Sequence, residues 1–336
     1  MDSVSQAALG AAVGIAVMGR RTALWKAALA GAVVGTLPDL DALIDRGDPV
    51  SNMTYHRAES HALFWLTLAT TPIALVVARL AGEWPRWRRW WLAVWLALIT
   101  HPLLDAMTVY GTQLLLPFSD RPIALGSIFI IDPLYTVPLL LGVGLALRRD
   151  DERGLAFNRA GLAASCAYLA WTAGVQAWVQ HDVDRALAVR GLAAERVLVT
   201  PAPFNSLLWR VVAVTPDGRY HEGFRSIFDG IRALQLDPFE QGRALVHPPL
   251  AERWHVQRLL WFTRGFYKAE RVDGADGGVV ITDLRMGQEP GYVFAFLFPA
   301  GAAAAPPRAV GARLDIARGL RWLGPRMLGA DVPAPR

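Results

Sequence analysis

Trp90-Trp-Leu-Ala-Val-Trp-Leu-Ala-Leu-Ile-Thr-His-Pro-Leu-Leu-Asp-Ala-Met107 places a histidine and an aspartate inside an otherwise apolar run. The run approaches the ~20 residues a helix needs to cross the hydrocarbon core of a bilayer. His101 and Asp105 are four residues apart, so a helix brings both onto one face. Ionisable side chains are costly at that depth, and where they occur they mark function. Five further apolar segments surround this one, at residues 4–18, 22–37, 62–81, 128–147 and 160–179. The last three are long enough to span. The first two are short and rich in glycine and alanine, residues that let helices approach closely. They are expected to span as a close-packed hairpin or to re-enter. No basic residue precedes segment 4–18, so a cleavable signal peptide is not expected.

The basic residues follow these segments. Arg20, Arg21 and Lys26 form one group, Arg79, Arg86, Arg88 and Arg89 a second, and Arg148, Arg149, Arg153 and Arg159 a third. If all six segments cross, the three groups share one side, which the positive-inside rule makes cytoplasmic. Both termini, the other loops and the C-terminal region then lie outside the cytoplasm. Trp84, Trp87, Trp90 and Trp91 fall where an interfacial aromatic belt is expected, with core packing as the alternative. The net charge of +5 is spent on these segment ends. It forms no basic stripe interleaved with aromatics, so no nucleic-acid partner is expected. Cys166 is the single cysteine. It excludes an intrachain disulfide and a cysteine-based zinc cluster, and its apolar setting predicts a buried small hydrophobe. Any transition metal is left to histidine and carboxylate.

Near residue 180 the texture changes. Residues 196–200, 207–214, 220–227, 279–283 and 292–298 read as strands, and Thr215-Pro-Asp-Gly218 as a hairpin turn. Residues 250–262 read as a helix, 301–307 as an Ala/Pro linker, and 314–328 as an amphipathic helix lying on the membrane or on the domain. The fold expected is mainly α. A polytopic helical membrane domain of about six transmembrane helices (1–180) precedes a small α+β domain with an antiparallel sheet (181–300) and a linker with an amphipathic C-terminal helix (301–336).

More polar residues join His101 and Asp105 on the same predicted side. They are Asp39 and Asp41 in Leu37-Pro-Asp-Leu-Asp41, His56, Arg57 and His61 in His56-Arg-Ala-Glu-Ser-His61, and Asp132 before Pro133. Each alone reads equally well as a solvated turn or a hydrogen-bonded pair. Together they bring three of the seven histidines to one membrane face. Zinc accepts histidine nitrogen and carboxylate oxygen; manganese, iron or magnesium accept a carboxylate-rich set. The metal candidates are Asp39, Asp41, His56, His61, His101 and Asp105. Arg57 is the candidate for holding a substrate anion, and Glu59 for a general base. His181, His221, His247 and His255 lack partners at ligand spacing and read as structural.

The ordered set Leu-Pro-Asp-Leu-Asp41, His56-Arg57 with His61, and Thr100-His-Pro-Leu-Leu-Asp105, followed by Tyr110-Gly111 and Pro117-Phe118-Ser119, resembles the membrane-bound metal-dependent hydrolase family, the YdjM-like inner-membrane proteins. The likeness covers roughly residues 5–180, and Ser60 stands where the family's pattern has threonine. The resemblance implies a bacterial inner-membrane protein with a metal-dependent hydrolase site, distantly similar to zinc-dependent phospholipase C. It carries over the same six positions, Asp39 through Asp105. The expected function is hydrolysis of an ester or phosphoester of a lipid or other amphiphile by water that a divalent metal, zinc first, activates. The alternatives are a membrane anchor that binds a partner through its C-terminal domain, and a cation transporter.

Overall fold

The computed structural model describes residues 1–273, 277–300, 305–311 and 315–335. The chain forms two compact units. One comprises Met1–Ile44, His56–Gly174 and Pro203–Asn205; the other Asp45–Tyr55, Val175–Ala202 and Ser206–Arg336. The helices up to residue 189 are α1 (Ser3–Met18), α2 (Leu24–Thr36), α3 (Pro49–Tyr55), α4 (Leu63–Leu80), α5 (Trp87–Ala106), α6 (Pro133–Arg149) and α7 (Glu152–Val189). Of these, α3 and the last part of α7 belong to the second unit.

In the helical unit α1 and α2 form the hairpin that their glycines announce. A Cβ added at Gly10 would lie 2.2 Å from the Gly31 carbonyl oxygen, and one at Gly14 would lie 2.3 Å from that of Ala27. The backbones touch, which only glycine permits. Asp2 starts α1 by accepting hydrogen bonds from the Val4 and Ser5 amides. Ala11, Ile15 and Met18 of α1 pack with Ala27 and Ala28 of α2, Ala78 of α4 and Trp90 and Ala93 of α5. The outside of the unit is apolar: Trp25, Leu29 and Val33 of α2, Leu68, Val76 and Leu80 of α4, and Leu140 and Leu141 of α6 are exposed. So many exposed large apolar side chains are unfavourable in water and suited to lipid. Among the described residues one helix, α4, is long and apolar enough by itself to cross a bilayer. Helices α1, α2 and α6 have 16, 13 and 17 residues, short of the ~20 of a full crossing.

Two expectations are corrected. Trp90 is core rather than interfacial belt: it is fully buried and donates its indole N–H to Glu83, whereas Trp84 is exposed. Cys166 is exposed. Its neighbour Ser165 takes the inward position on α7 and donates to the Tyr135 carbonyl, which turns the cysteine outward.

The second unit contains two four-stranded antiparallel sheets where one was expected. Strands β1 (Arg196–Pro201), β2 (Leu208–Val214), β3 (Arg219–Ser226) and β4 (Leu236–Glu240) pair in sequence order. Helix α8 (Trp254–Thr263) follows, then β5 (Tyr267–Val272), β6 (Gly278–Asp283), the short pair β7 (Gly287–Gln288) and β8 (Gly291–Tyr292), β9 (Ala295–Pro299) and β10 (Arg308–Ala309). The second sheet runs β10-β9-β6-β5. Strand β2 is buried on both faces because side chains alternate. Trp209, Val211 and Ala213 pack on Val179 and Val183 of α7, while Val212 and Val214 meet Phe266, Leu284 and Tyr292. Arg210 shares that second face and is neutralised there by Glu222, with a further hydrogen bond to the Leu284 carbonyl. The turn at 215–218 forms as expected: the Thr215 amide donates to the Arg219 carbonyl, and Gly218 takes φ +81°.

Helix α9 (Ile316–Met327) lies against the domain. Trp322, Leu323 and Met327 pack on Ala202, Leu208 and Phe224. Arg326 grips Asp229 with two bonds of 2.6 and 2.7 Å. Residues 301–304 of the linker and residue 314, where the amphipathic helix was expected to start, lie outside the described residues.

Candidate metal centre

Four segments of the helical unit deliver the polar side chains. The α1–α2 hairpin fixes the end of α2, after which residues Leu37–Leu43 turn as a 3-10 helix that carries Asp39 and Asp41. A second short 3-10 turn, Glu59–His61, carries His61 into α4. The last turns of α5 carry His101 and Asp105. Finally, α1 contributes Gln6, which is buried.

Asp39, His61, His101 and Asp105 each offer one ligand atom, and the four atoms lie within 4.8 Å of one another. His61 Nε2 and His101 Nε2 are 3.1 Å apart. Each lies 3.4 Å from Asp39 Oδ1 and 3.3 Å from Asp105 Oδ2. The protonation of the two rings follows from their far nitrogens. His101 Nδ1 is 2.6 Å from the Gly35 carbonyl oxygen, so Nδ1 carries the proton and donates. The Ser60 hydroxyl donates to Asp41 Oδ2 at 2.7 Å, so it accepts from His61 Nδ1 at 2.9 Å. With both rings neutral, as a metal ligand requires, the two Nε2 atoms carry lone pairs that face each other and two carboxylate oxygens. Asp105 Oδ2 is buried without any hydrogen-bond donor.

Four acceptors this close together repel unless a cation lies among them. A single extra proton relieves at most one or two of the contacts; a dication relieves all. The five separations of 3.1–3.4 Å match the edge of a tetrahedron with ligand distances of 2.0–2.1 Å, about 3.3–3.4 Å. The donor set, two neutral imidazoles and two carboxylates, fits a divalent cation.

The surrounding groups divide their work. Asp105 Oδ1 is held by Gln6 Nε2 at 3.2 Å, by Arg57 Nη2 at 3.4 Å and by the α-amino group of Met1. That leaves Oδ2 to the centre. Arg57 is buried, with its guanidinium 5.0 Å from the Tyr110 ring. Its backbone takes φ +64° and its amide donates to Asp41 Oδ2 at 2.9 Å. Expected from sequence as an anion holder, Arg57 is placed on a ligand carboxylate. Asp41 and His56 are brought close to the four but stand behind them. His56 Nδ1 donates to Asp41 Oδ1 at 2.9 Å, and the His56 and His61 ring centroids are 5.9 Å apart. Burial works to raise the Asp41 carboxyl, but hydrogen bonds from His56 and Ser60 hold it down at about 2. Such carboxylate–histidine partners fix tautomer and ring orientation in metal sites. Glu59 is exposed. Asp132 is not gathered in: it caps α6 through the Leu134 amide and accepts from the Tyr168 hydroxyl at 2.8 Å.

Sequence reasoning missed Gln6 and the Gly35 carbonyl. A glutamine in an apolar segment was a visible signal; a backbone carbonyl leaves none. The serine at position 60 keeps the hydroxyl that the bond to His61 requires.

A helical unit with an apolar exterior and a buried two-histidine, two-aspartate cluster defines a membrane protein with a centre able to hold a divalent metal. The chain belongs to the YdjM inner membrane protein family, which matches residues 1–179. It is also similar to a protein described as "Uncharacterized protein YfhP" of Bacillus subtilis (strain 168), 27% identical over 155 residues, 43% of this chain and 46% of that one. The match thus spans less than half the length of that relative. No solved structure matches.

Proposed function

We propose that the chain is a membrane-embedded hydrolase that depends on a divalent metal, zinc by preference, and cleaves an ester or phosphoester of a lipid or other amphiphile. One observation carries this reading: two imidazole nitrogens and two carboxylate oxygens converge, five of their six separations at tetrahedral-edge distances, and one oxygen is an orphan. When bound, a divalent metal supplies an acidified water and a Lewis acid for the ester or phosphoester oxygen.

The chain's own residues do the rest. Asp39 is the most exposed of the four, its side chain 20% accessible against 0–1% for the others, so the substrate's polar head reaches the centre from that side. His56, 23% accessible, is anchored through Nδ1 on Asp41. Its Nε2 is free of that bond and is the atom suited to move a proton to or from the reacting oxygen. Arg57 and Gln6 hold Asp105 still. In this reading the short α1–α2 hairpin and α4–α7 together form the membrane-embedded unit, up to six crossings, with the site on the non-cytoplasmic face. The four donors meet at one point rather than along a path, which favours a fixed centre over a transport route.

The test is metal analysis of detergent-purified protein prepared without chelator, followed by hydrolysis of chromogenic phosphodiester and acyl-ester probes in mixed micelles. The expected result is one divalent metal per chain and hydrolysis abolished in His101→Ala. A metal-free wild type, or hydrolysis unchanged in His101→Ala, refutes the proposal.

A further inference from the structure

Residues 45–55 leave the helical unit after Ile44 and the chain returns to it at His56; the excursion between belongs to the C-terminal unit. It therefore separates Asp39 and Asp41 from His56, Arg57 and His61. The excursion is closed on itself. Asp48 caps α3 through the Val50 and Ser51 amides, both at 2.9 Å, and the Arg46 amide donates to Asn52 Oδ1 at 2.6 Å. Helix α8 of the same unit then holds it at both ends. His255 Nε2 lies 3.3 Å from Asp48 Oδ2. At the other end Arg258 donates to Thr54 through Nε to the hydroxyl at 3.2 Å and through Nη2 to the carbonyl at 3.5 Å. The Arg258 guanidinium sits between the rings of Tyr55 and Trp261, 4.6 and 4.1 Å from their centroids. The Thr54 carbonyl is one of the last in α3, where a cation meets the negative helix end.

The next residues along the chain are His56 and Arg57. Arg57 holds a left-handed backbone conformation, which costs a non-glycine residue energy and persists only when its surroundings impose it. Its amide is the donor to Asp41 and its side chain the donor to Asp105. From this geometry we infer that Arg258 of the C-terminal unit is a positioning residue for the metal centre: by fixing Thr54 and Tyr55 it fixes where the chain enters the His56–His61 segment. The C-terminal unit thereby sets metal affinity through residues 45–55. The inference rests on the metal-centre reading above.

The experiment titrates Zn2+ and Co2+ against full-length wild type, Arg258→Ala, Arg258→Lys and Thr54→Val in detergent, reading affinity by competition with a chromophoric chelator and geometry by the visible absorption of the Co2+ form. Outer-shell changes cost 10–100-fold in metal affinity, and Arg258→Ala is expected near the lower end, about 10-fold, with an altered Co2+ spectrum. Arg258→Lys keeps the cation and is expected to restore most of the affinity and the wild-type spectrum. If Arg258→Ala does not fold, Thr54→Val, which removes one acceptor and keeps the shape, carries the test with a smaller loss in the same direction. A metal-loaded wild type with affinity and spectrum unchanged in the variants that fold overturns the coupling alone. A wild type that binds no metal overturns the metal centre and the coupling with it.

Discussion

Replacing Gly31 by alanine adds one methyl group and removes no chemistry, yet it should empty the metal centre. A Cβ at Gly31 lies 2.1 Å from the Gly10 carbonyl oxygen and 2.8 Å from the Gly10 carbonyl carbon. Both are backbone atoms of α1, so no side chain can swing aside. Restoring ordinary contact at 3.4 Å requires α2 to move by about 1.3 Å, an overpacking that costs roughly 1–3 kcal/mol. Gly35 stands one turn further along α2, and its carbonyl accepts from His101 Nδ1 at 2.6 Å. A full transfer of the shift stretches that bond to about 3.9 Å, past the ~3.2 Å limit of a hydrogen bond. Asp39 moves with it, and metal ligands tolerate only about 0.2 Å. Loss of the outer-shell bond alone is worth 10–100-fold in affinity, and the displaced ligand adds to that. The assay is metal titration with thermal unfolding in detergent. Gly144→Ala on α6, where the new Cβ meets nothing within 4 Å, is the control; it should bind metal normally and gain up to about 1 kcal/mol of helix propensity. If Gly31→Ala binds metal as the control does, the packing of α1 on α2 does not position the site.

His61→Ala and His101→Ala should each abolish stoichiometric metal, measured by elemental analysis, whereas Asp132→Ala should keep the metal and lose about 1 kcal/mol through its missing N-cap. His56→Gln should retain metal and lower turnover about 10²–10⁴-fold, the range for a lost acid–base group; full activity on the chromogenic probes removes His56 from the proton path. In the C-terminal unit, burial tends to raise the Asp229 carboxyl, but Arg326 and the Ser226 amide hold it below its ordinary value. Its contribution is then present above the unfolded carboxylate pKa of about 3.9 and is lost as the pH falls below that. Hydrogen exchange of the α9 amides should accelerate in that window, and Asp229→Asn should produce the same acceleration at neutral pH. Exchange of α9 that is independent of both changes would show that Trp322, Leu323 and Met327 hold the helix without the ion pair.

The division between a helical half and a sheet half was legible in the sequence, because apolar runs and alternating strands differ in period. So were His101 and Asp105, since four-residue spacing fixes a shared helix face. The choice between Asp39 and Asp41 was not. An extended Asp-x-Asp aims both side chains one way, but Leu37–Leu43 is a 3-10 turn, in which residues two apart point apart. Asp39 meets the histidine pair, and Asp41 turns to His56, Ser60 and the Arg57 amide. Gln6 and the Gly35 carbonyl depend on how closely α1 approaches α2, which is a property of the assembled pair. The second sheet was hidden in part: residues 279–283 and 292–298 read as strands, but the charged β5 and the two-residue β10 that complete it carry too weak an alternation to be read.

Asp39, His61, His101 and Asp105 come from the segment after α2, the turn before α4, and α5, and the α-amino group and Gln6 at the start of α1 brace the last of them. No single helix or turn supplies more than two of the four. Metal capture therefore reports completed assembly: a nascent chain halted before α5 has emerged is blind to metal, and the ion's binding energy accrues only to the finished arrangement. A bound ion would then act as a late clasp on helices that have already found one another.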